Sequence, residues 1–252
     1  MPIVRFRQAG KIEWGEVEGQ TIRVLDAPPW ENGKLTGRTT HLDHGVLLAP
    51  GTPTKIVAIG LNYRDHAKEM GVELPEEPLI FLKPPSALVG PEADILYPPM
   101  SSRVDYEGEL AVVIGRVTKD VPVKKARAHI FGYSIMNDVT ARDLQGKDVQ
   151  WSRAKGFDTF ACFGPAIVTE LDPSDLAVET YLNGKPVQAS RTEQLIFSVF
   201  DLVSFVSRVM TLEPGDILST GTPSGVGPMS PGDVVEVRIE GIGTLRNTVR
   251  RP

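Results

Sequence analysis

Short runs of apolar residues, alternating or continuous, dominate the chain, and few have the spacing of a helix. The pattern predicts strands at Lys55 to Ile59, Leu79 to Leu82, Glu109 to Ile114, Ile130 to Met136, Ala161 to Val168, Ala177 to Leu182, Asp216 to Thr220 and Asp233 to Ile239. Helical spacing is confined to Arg64 to Met70, Val123 to Ala128, Val139 to Gln145 and an amphipathic stretch from Ile196 to Met210. Strands and helices do not alternate, which argues against a doubly wound parallel sheet. The pattern predicts a mainly β fold with inserted helices (α+β), a β-roll or sandwich. Asn183-Gly184 marks a hairpin, and the segments Glu213-Pro-Gly-Asp216 and Ser230-Pro-Gly-Asp233 each deliver a strand from a turn.

The first 50 or so residues read differently. Alternating segments at Ile3 to Phe6, Lys11 to Val17 and Thr21 to Leu25 are followed by turn formers around Pro28, Pro29 and Gly33. A Pro/Gly-rich stretch from Leu48 to Pro53 separates them from the next apolar run. The expected organisation is a small β-rich unit over 1–52 and a larger unit over 53–252.

Within the second unit the run Asp105-Tyr-Glu107-Gly-Glu109 leads carboxylates into an otherwise apolar strand. Residues two apart on a strand share a face, so Glu107 and Glu109 would repel each other unless a cation lay between them. A hard divalent metal is the natural candidate, and an exposed strand end is the plain alternative. Asp138 follows the strand Ile130 to Met136, where a helix N-cap would account for it. Asp138, Arg142 and Gln145 nevertheless fall on one face of the expected helix, a set suited to a metal and a carboxylate substrate. His66 and Glu69, at i and i+3, form either a surface pair or an oriented acid–base couple, and the Pro/Gly-rich flank after Gly71 suits a lid. The stretch Thr220-Gly-Thr222-Pro-Ser-Gly225 lacks the lysine of a nucleotide phosphate loop, but its amides and hydroxyls suit a small anion. Lys155 taken alone says little. His41, His44 and His129 have no partners at zinc-ligand spacing.

Composition narrows the classes. The 252 residues suffice for a sizeable core, and 27 Lys+Arg against 32 Asp+Glu give a net charge of -5. That balance argues against nucleic-acid or anionic-membrane partners. A single cysteine, Cys162, in an apolar setting reads as a packed thiol in a reducing compartment. With no apolar signal segment and no run of bilayer length, the expectation is a cytoplasmic protein.

The ordered set Gly60-Leu-Asn62-Tyr63 with His66 and Glu69, Phe81-Leu-Lys83-Pro84, Asp105 to Glu109, Asn137-Asp138 through Gln145, Lys155-Gly-Phe-Asp158 and Thr220 to Gly227 resembles the fumarylacetoacetate hydrolase family. It is most similar to the bacterial 5-carboxymethyl-2-hydroxymuconate isomerase / 5-oxopent-3-ene-1,2,5-tricarboxylate decarboxylase members. The resemblance implies a mixed β-sandwich roll, a homodimer, and Mg²⁺ or Mn²⁺, with Ca²⁺ as a substitute, held by Glu107, Glu109 and Asp138. It implies a His66–Glu69 dyad on a lid, a catalytic Lys155, and substrate contacts from Arg142, Gln145 and Thr222. Asp105 is left as a supporting or surface residue. A 2-oxo acid chelating a hard metal would pass through a metal-stabilised enolate, an intermediate shared by isomerisation, decarboxylation and C–C hydrolysis. The leading expectation is isomerisation and decarboxylation of 5-carboxymethyl-2-hydroxymuconate-type diacids. Acylpyruvate hydrolysis, oxaloacetate decarboxylation and 2-oxo-acid binding without catalysis are the alternatives.

Overall fold

The computed structural model describes all residues, 1–252. Its largest sheet has twelve strands. Ten lie in the order Leu35–His41, Thr21–Leu25, Lys11–Glu18, Pro2–Gln8, Ala161–Val168, Ile130–Asp138, Gly108–Ile114, Ile217–Ser219, Ile56–Gly60, Leu79–Lys83, while Val46–Leu48 joins Pro2–Gln8 and Leu88–Val89 joins Ala161–Val168. A five-stranded sheet runs Lys185–Arg191, Ala177–Leu182, Val234–Ile239, Gly243–Arg250, Asp94–Leu96, and a three-stranded one joins Thr140–Ala141, Val104–Tyr106 and Gly227–Met229. Most pairings are antiparallel, but Ile217–Ser219 pairs Ile56–Gly60 in parallel, so the sheets are mixed. The expected mainly β roll with few helices is what the chain forms.

Burial explains the continuous apolar run of the central strand. Leu110, Val112 and Ile114 enter a large core with Val178, Val237 and Leu245 of the five-stranded sheet. Ala111 and Val113 point the other way, into a second core with Phe163, Ile167 and Ile217. A strand covered on both faces has no polar face to show. The helix Val199–Val209 buries Val199, Leu202, Val203 and Val206 in the larger core, and Ser198 and Asp201 close a reciprocal capping box at its start. At the predicted hairpin, Asn183 and Gly184 both take positive φ, 52° and 75°, as a primed turn requires.

The front strands do not form a sheet of their own. Pro2 and Ile3 pair with Val168 and Ile167, continuing the twelve-stranded sheet of the body. Trp30 packs edge-on against Trp14 at 5.0 Å and Phe131 at 5.4 Å, spanning the two parts. No helix is long and apolar enough to cross a membrane.

Candidate active site

The run of carboxylates is divided between two sheets, and the strand expected from Glu109 begins one residue earlier, at Gly108. Asp105 lies on Val104–Tyr106 in the three-stranded sheet, Glu109 lies on Gly108–Ile114 in the large sheet, and Glu107 occupies the change of sheet. Asp138 ends the strand Ile130–Asp138, with its N–H donating to Glu107 O at 2.9 Å. This corrects the expected helix over Val139 to Gln145, which begins only at Arg142. Thr140 and Ala141 instead pair with Asp105 and Val104, so Asp138 reaches the site from a strand end and not from a helical face. The convergence survives the correction: ligand oxygens of Glu107, Glu109 and Asp138 all lie within 4.8 Å of one another.

Three basic groups surround the trio. Lys155 Nζ donates to Glu107 Oε2 at 2.7 Å and to Asp138 Oδ2 at 2.5 Å. Lys83 Nζ donates to Asp138 Oδ1 at 2.5 Å and lies 3.3 Å from Val139 O. Arg142 Nη2 donates to Glu107, Nε to Asp105 at 2.9 Å, and Nη1 to Gln145 Oε1 at 2.5 Å. Burial pushes Glu107 up, but the charges of Lys155 and Arg142 outweigh it and hold the carboxyl well below its ordinary range. Burial moves Glu109 the other way, reinforced by the charges of Asp138 and Glu107, and raises it above the ordinary range. Burial lowers Lys83 despite Asp138, whereas for Lys155 the three carboxylates overcome burial and raise it.

Glu109 is the member of the trio with no basic partner. Its Oε2 accepts from Ser219 Oγ at 2.5 Å and Gly221 N at 2.9 Å, and no ion pair reaches it. A buried carboxylate held only by neutral donors, beside two more hard oxygen ligands, fits a divalent cation such as Mg²⁺ or Mn²⁺. The donor set does not favour zinc or copper.

The pocket above the carboxylates has a volume of about 300 Å³ and is lined by His66, Glu107, Glu109, Arg142, Gln145, Lys155 and Thr222 among others. Apolar side chains, including Ile59, Leu61, Met70 and Trp151, make up much of the rest. Asp138 is 1% exposed and lies beneath Lys155. His66 sits on the helix Arg64–Met70, whose entry is fixed by buried Asn62 donating to Thr220 O at 2.8 Å and Phe197 O at 3.1 Å. Its Nδ1 lies 3.1 Å from Glu69 Oε2. A carboxylate only accepts, so in the neutral ring the proton sits on Nδ1 and the lone pair on Nε2. The Glu69 carboxylate also accepts from Gly225 N at 3.1 and 3.2 Å, and Asp65 from Ser190 Oγ at 2.5 Å, so the expected lid helix is docked over the site.

Two residues take a larger part in the site than sequence reasoning gave them. Lys83 is 1% exposed in the site, although in the sequence it stands only within the motif Phe81-Leu-Lys83-Pro84, with no role attached. Asp105, expected as a supporting or surface residue, is fully buried and clamped by Arg103 as well as by Arg142. Thr222 lines the pocket, but its hydroxyl already donates to Gly108 O at 3.0 Å.

Residues 55–250 match the family model of the fumarylacetoacetate (FAA) hydrolase C-terminal region, and residues 1–50 match the Rv2993c-like N-terminal model. The structure of 5-carboxymethyl-2-hydroxymuconate delta-isomerase from Mycobacterium smegmatis is 46% identical with a TM-score of 0.95, covering 100% of both chains. Fumarylpyruvate hydrolase from Pseudomonas aeruginosa, in complex with Mn²⁺ and pyruvate, is 34% identical with a TM-score of 0.76, covering 81% of this chain and 91% of that one. Mitochondrial oxaloacetate tautomerase FAHD2A of Bos taurus is 45% identical over 217 residues, 80% of this chain and 68% of the relative. By its fold, its acidic trio and the family match over 55–250, the chain belongs to the fumarylacetoacetate hydrolase family.

Proposed function

We propose that this chain is a divalent-metal-dependent enzyme acting on 2-oxo and 2-hydroxy-enoic diacids, with isomerisation and decarboxylation of 5-carboxymethyl-2-hydroxymuconate-type compounds as its reaction. The observation that carries the reading is the charge balance of the buried site. Four buried carboxylates, Glu107, Glu109, Asp138 and Asp105, face four cations, Lys83, Lys155, Arg142 and Arg103. A divalent cation would leave two positive charges in excess inside a low-dielectric pocket, and a dicarboxylate dianion cancels them.

Mg²⁺ or Mn²⁺ held by Glu107, Glu109 and Asp138 would supply Lewis acidity at the 2-oxo group. The protein's own groups do the rest. Arg142 and Lys155 line the pocket and give the substrate carboxylates cationic partners. His66 Nε2, with Nδ1 fixed by Glu69, takes the proton of the 2-hydroxyl and returns it to carbon at the far end of the conjugated chain, leaving the 2-oxo group. The docked helix Arg64–Met70 limits water at the carbanionic carbon. The resemblance to the mycobacterial delta-isomerase across the whole chain supports placing isomerisation first. A second reading is oxaloacetate tautomerisation, supported by the 45% identity to a tautomerase of that substrate.

The test is turnover by the purified protein with Mg²⁺ or Mn²⁺, comparing a carboxymethyl-hydroxymuconate dienoate, oxaloacetate and fumarylpyruvate. The dienoate should turn over fastest, and the His66→Ala variant should lose about 10²–10⁴-fold in turnover while keeping its affinity for metal and for oxalate. Faster turnover of either other substrate overturns the order, and full activity without His66 removes it from proton transfer.

A further inference from the structure

Gly108 is the residue between two of the three carboxylates, and both polar groups of its backbone are held by a closed ring of side chains. Its N–H donates to Gln188 Oε1 at 3.0 Å. Gln188 Nε2 donates to Thr222 Oγ1 at 2.9 Å, and Thr222 Oγ1 donates back to Gly108 O at 3.0 Å. Gln188 also accepts from Thr180 Oγ1 at 2.7 Å and donates to Pro223 O at 2.9 Å. At 2% exposure it is almost fully buried, and every hydrogen-bonding group of its amide is in use. The sense of the amide is fixed by chemistry, because an N–H of Gly108 needs an acceptor. No larger residue would fit at 108, since a Cβ there would collide with Thr180 Oγ1 and Val237 Cγ1.

The ring extends to the helix that carries His66. The loop held by Gln188 at Pro223 continues to Gly225, whose N–H meets Glu69. Ser190, two residues along the same strand as Gln188, meets Asp65. One strand, Lys185–Arg191, therefore positions the peptide between the carboxylates on one side and the docked helix on the other. From this we infer that Gln188 is a positioning residue: it sets the separation and direction of Glu107 and Glu109, and so the affinity of the site for a divalent cation. It touches no reacting atom. The inference rests on reading the carboxylate trio as the metal site.

The experiment measures Mn²⁺ affinity from the paramagnetic resonance signal of the free ion, with thermal midpoints recorded alongside. Gln188→Leu keeps the volume and removes the ring, and should raise the Mn²⁺ dissociation constant about tenfold or more, as loss of a ligand-orienting partner does elsewhere. Thr222→Val breaks the same ring without touching Gln188, Thr222→Ser preserves it, and the two should differ by a similar factor. The Gln188→Leu/Thr222→Val double variant should lose little more than either single one, because the ring is broken once. If Gln188→Leu does not fold, the Val and Ser pair at 222 decides alone. Unchanged Mn²⁺ affinity in folded Gln188→Leu, or equal affinities for Thr222→Val and Thr222→Ser, overturns the inference. Wild-type protein that fails to bind Mn²⁺ would instead defeat the metal-site reading beneath it.

Discussion

At the scale of single residues, the site is built from groups whose ionisation depends on their neighbours. Asp143, beside Arg142, shows the effect away from the carboxylate trio. Partial burial pushes its carboxyl up, but donors from Ser101 and Ser102 outweigh this and bring it down to about 2. The three bonds, from Ser101 Oγ at 2.6 Å and from Ser102 N and Oγ at 2.9 Å each, tie the 101–102 loop to the helix Arg142–Lys147. A carboxyl depressed in the folded state stabilises it above its unfolded value near about 3.9 and loses that contribution as pH falls towards the folded value. Asp143→Asn should therefore melt below wild type at neutral pH, and the two midpoints should approach each other between about pH 4 and pH 2. A gap that persists undiminished at the acid end would show that the ionised clamp is not its source. Individual residues were legible in the sequence when their chemistry was odd for their setting, as with Glu109 in an apolar strand. Gln188 and the role of Lys83 were not, because a glutamine in a hairpin and a lysine at a strand end are ordinary until burial makes them otherwise.

At the scale of elements, legibility followed how strongly one face is buried. The strands Ala161–Val168 and Ala177–Leu182 lie where the apolar pattern puts them. Gly243–Arg250 went unread because Asn247, 1% exposed, interrupts its alternation while bonding Gly90 O and Ala93 O. Leu35–His41 is an edge strand with no buried residue and so has no pattern to find. The helix Val199–Val209 begins three residues later than its apolar spacing suggests, because Ser198 caps it and fixes the first turn. Ser198 Oγ accepts from Asp201 N at 3.3 Å and Asp201 Oδ2 from Ser198 N at 3.1 Å. Removing the hydroxyl in Ser198→Ala should cost about 1 kcal/mol in a urea unfolding titration. A value near zero would mean that packing of Val199 and Leu202 alone sets the helix start.

At the scale of the whole molecule, the front strands and the body share a hydrogen-bonded ladder at Pro2 and Ile3 and an aromatic contact through Trp30. Gly215 of the body adds to that seam, since a side chain there would meet the Trp30 ring. A shared ladder and a shared core edge predict one cooperative transition. In a Trp151→Phe background the remaining tryptophans, Trp14 and Trp30, report on the front strands. Their fluorescence and the far-ultraviolet dichroism of the body should change at the same denaturant concentration. An earlier fluorescence transition would mark the front strands as a separately unfolding unit. Sequence composition announced the Pro/Gly-rich join at 48–53 but not the sheet that crosses it, because pairing between Ile3 and Ile167 is a long-range fact with no local cue.

Lys155 spans Glu107 and Asp138, so the chain brings a tethered competitor to the proposed cation site. An incoming divalent ion gains only the difference between its own hold on those oxygens and that of the ammonium. Any ligand whose carboxylate draws Lys155 aside removes the competitor and tightens ion binding. Linkage makes the assistance mutual: the factor by which such an anion strengthens the ion is the factor by which the ion strengthens the anion. On the proposed function, ion and diacid would act as each other's effectors, through the one buried lysine placed between them.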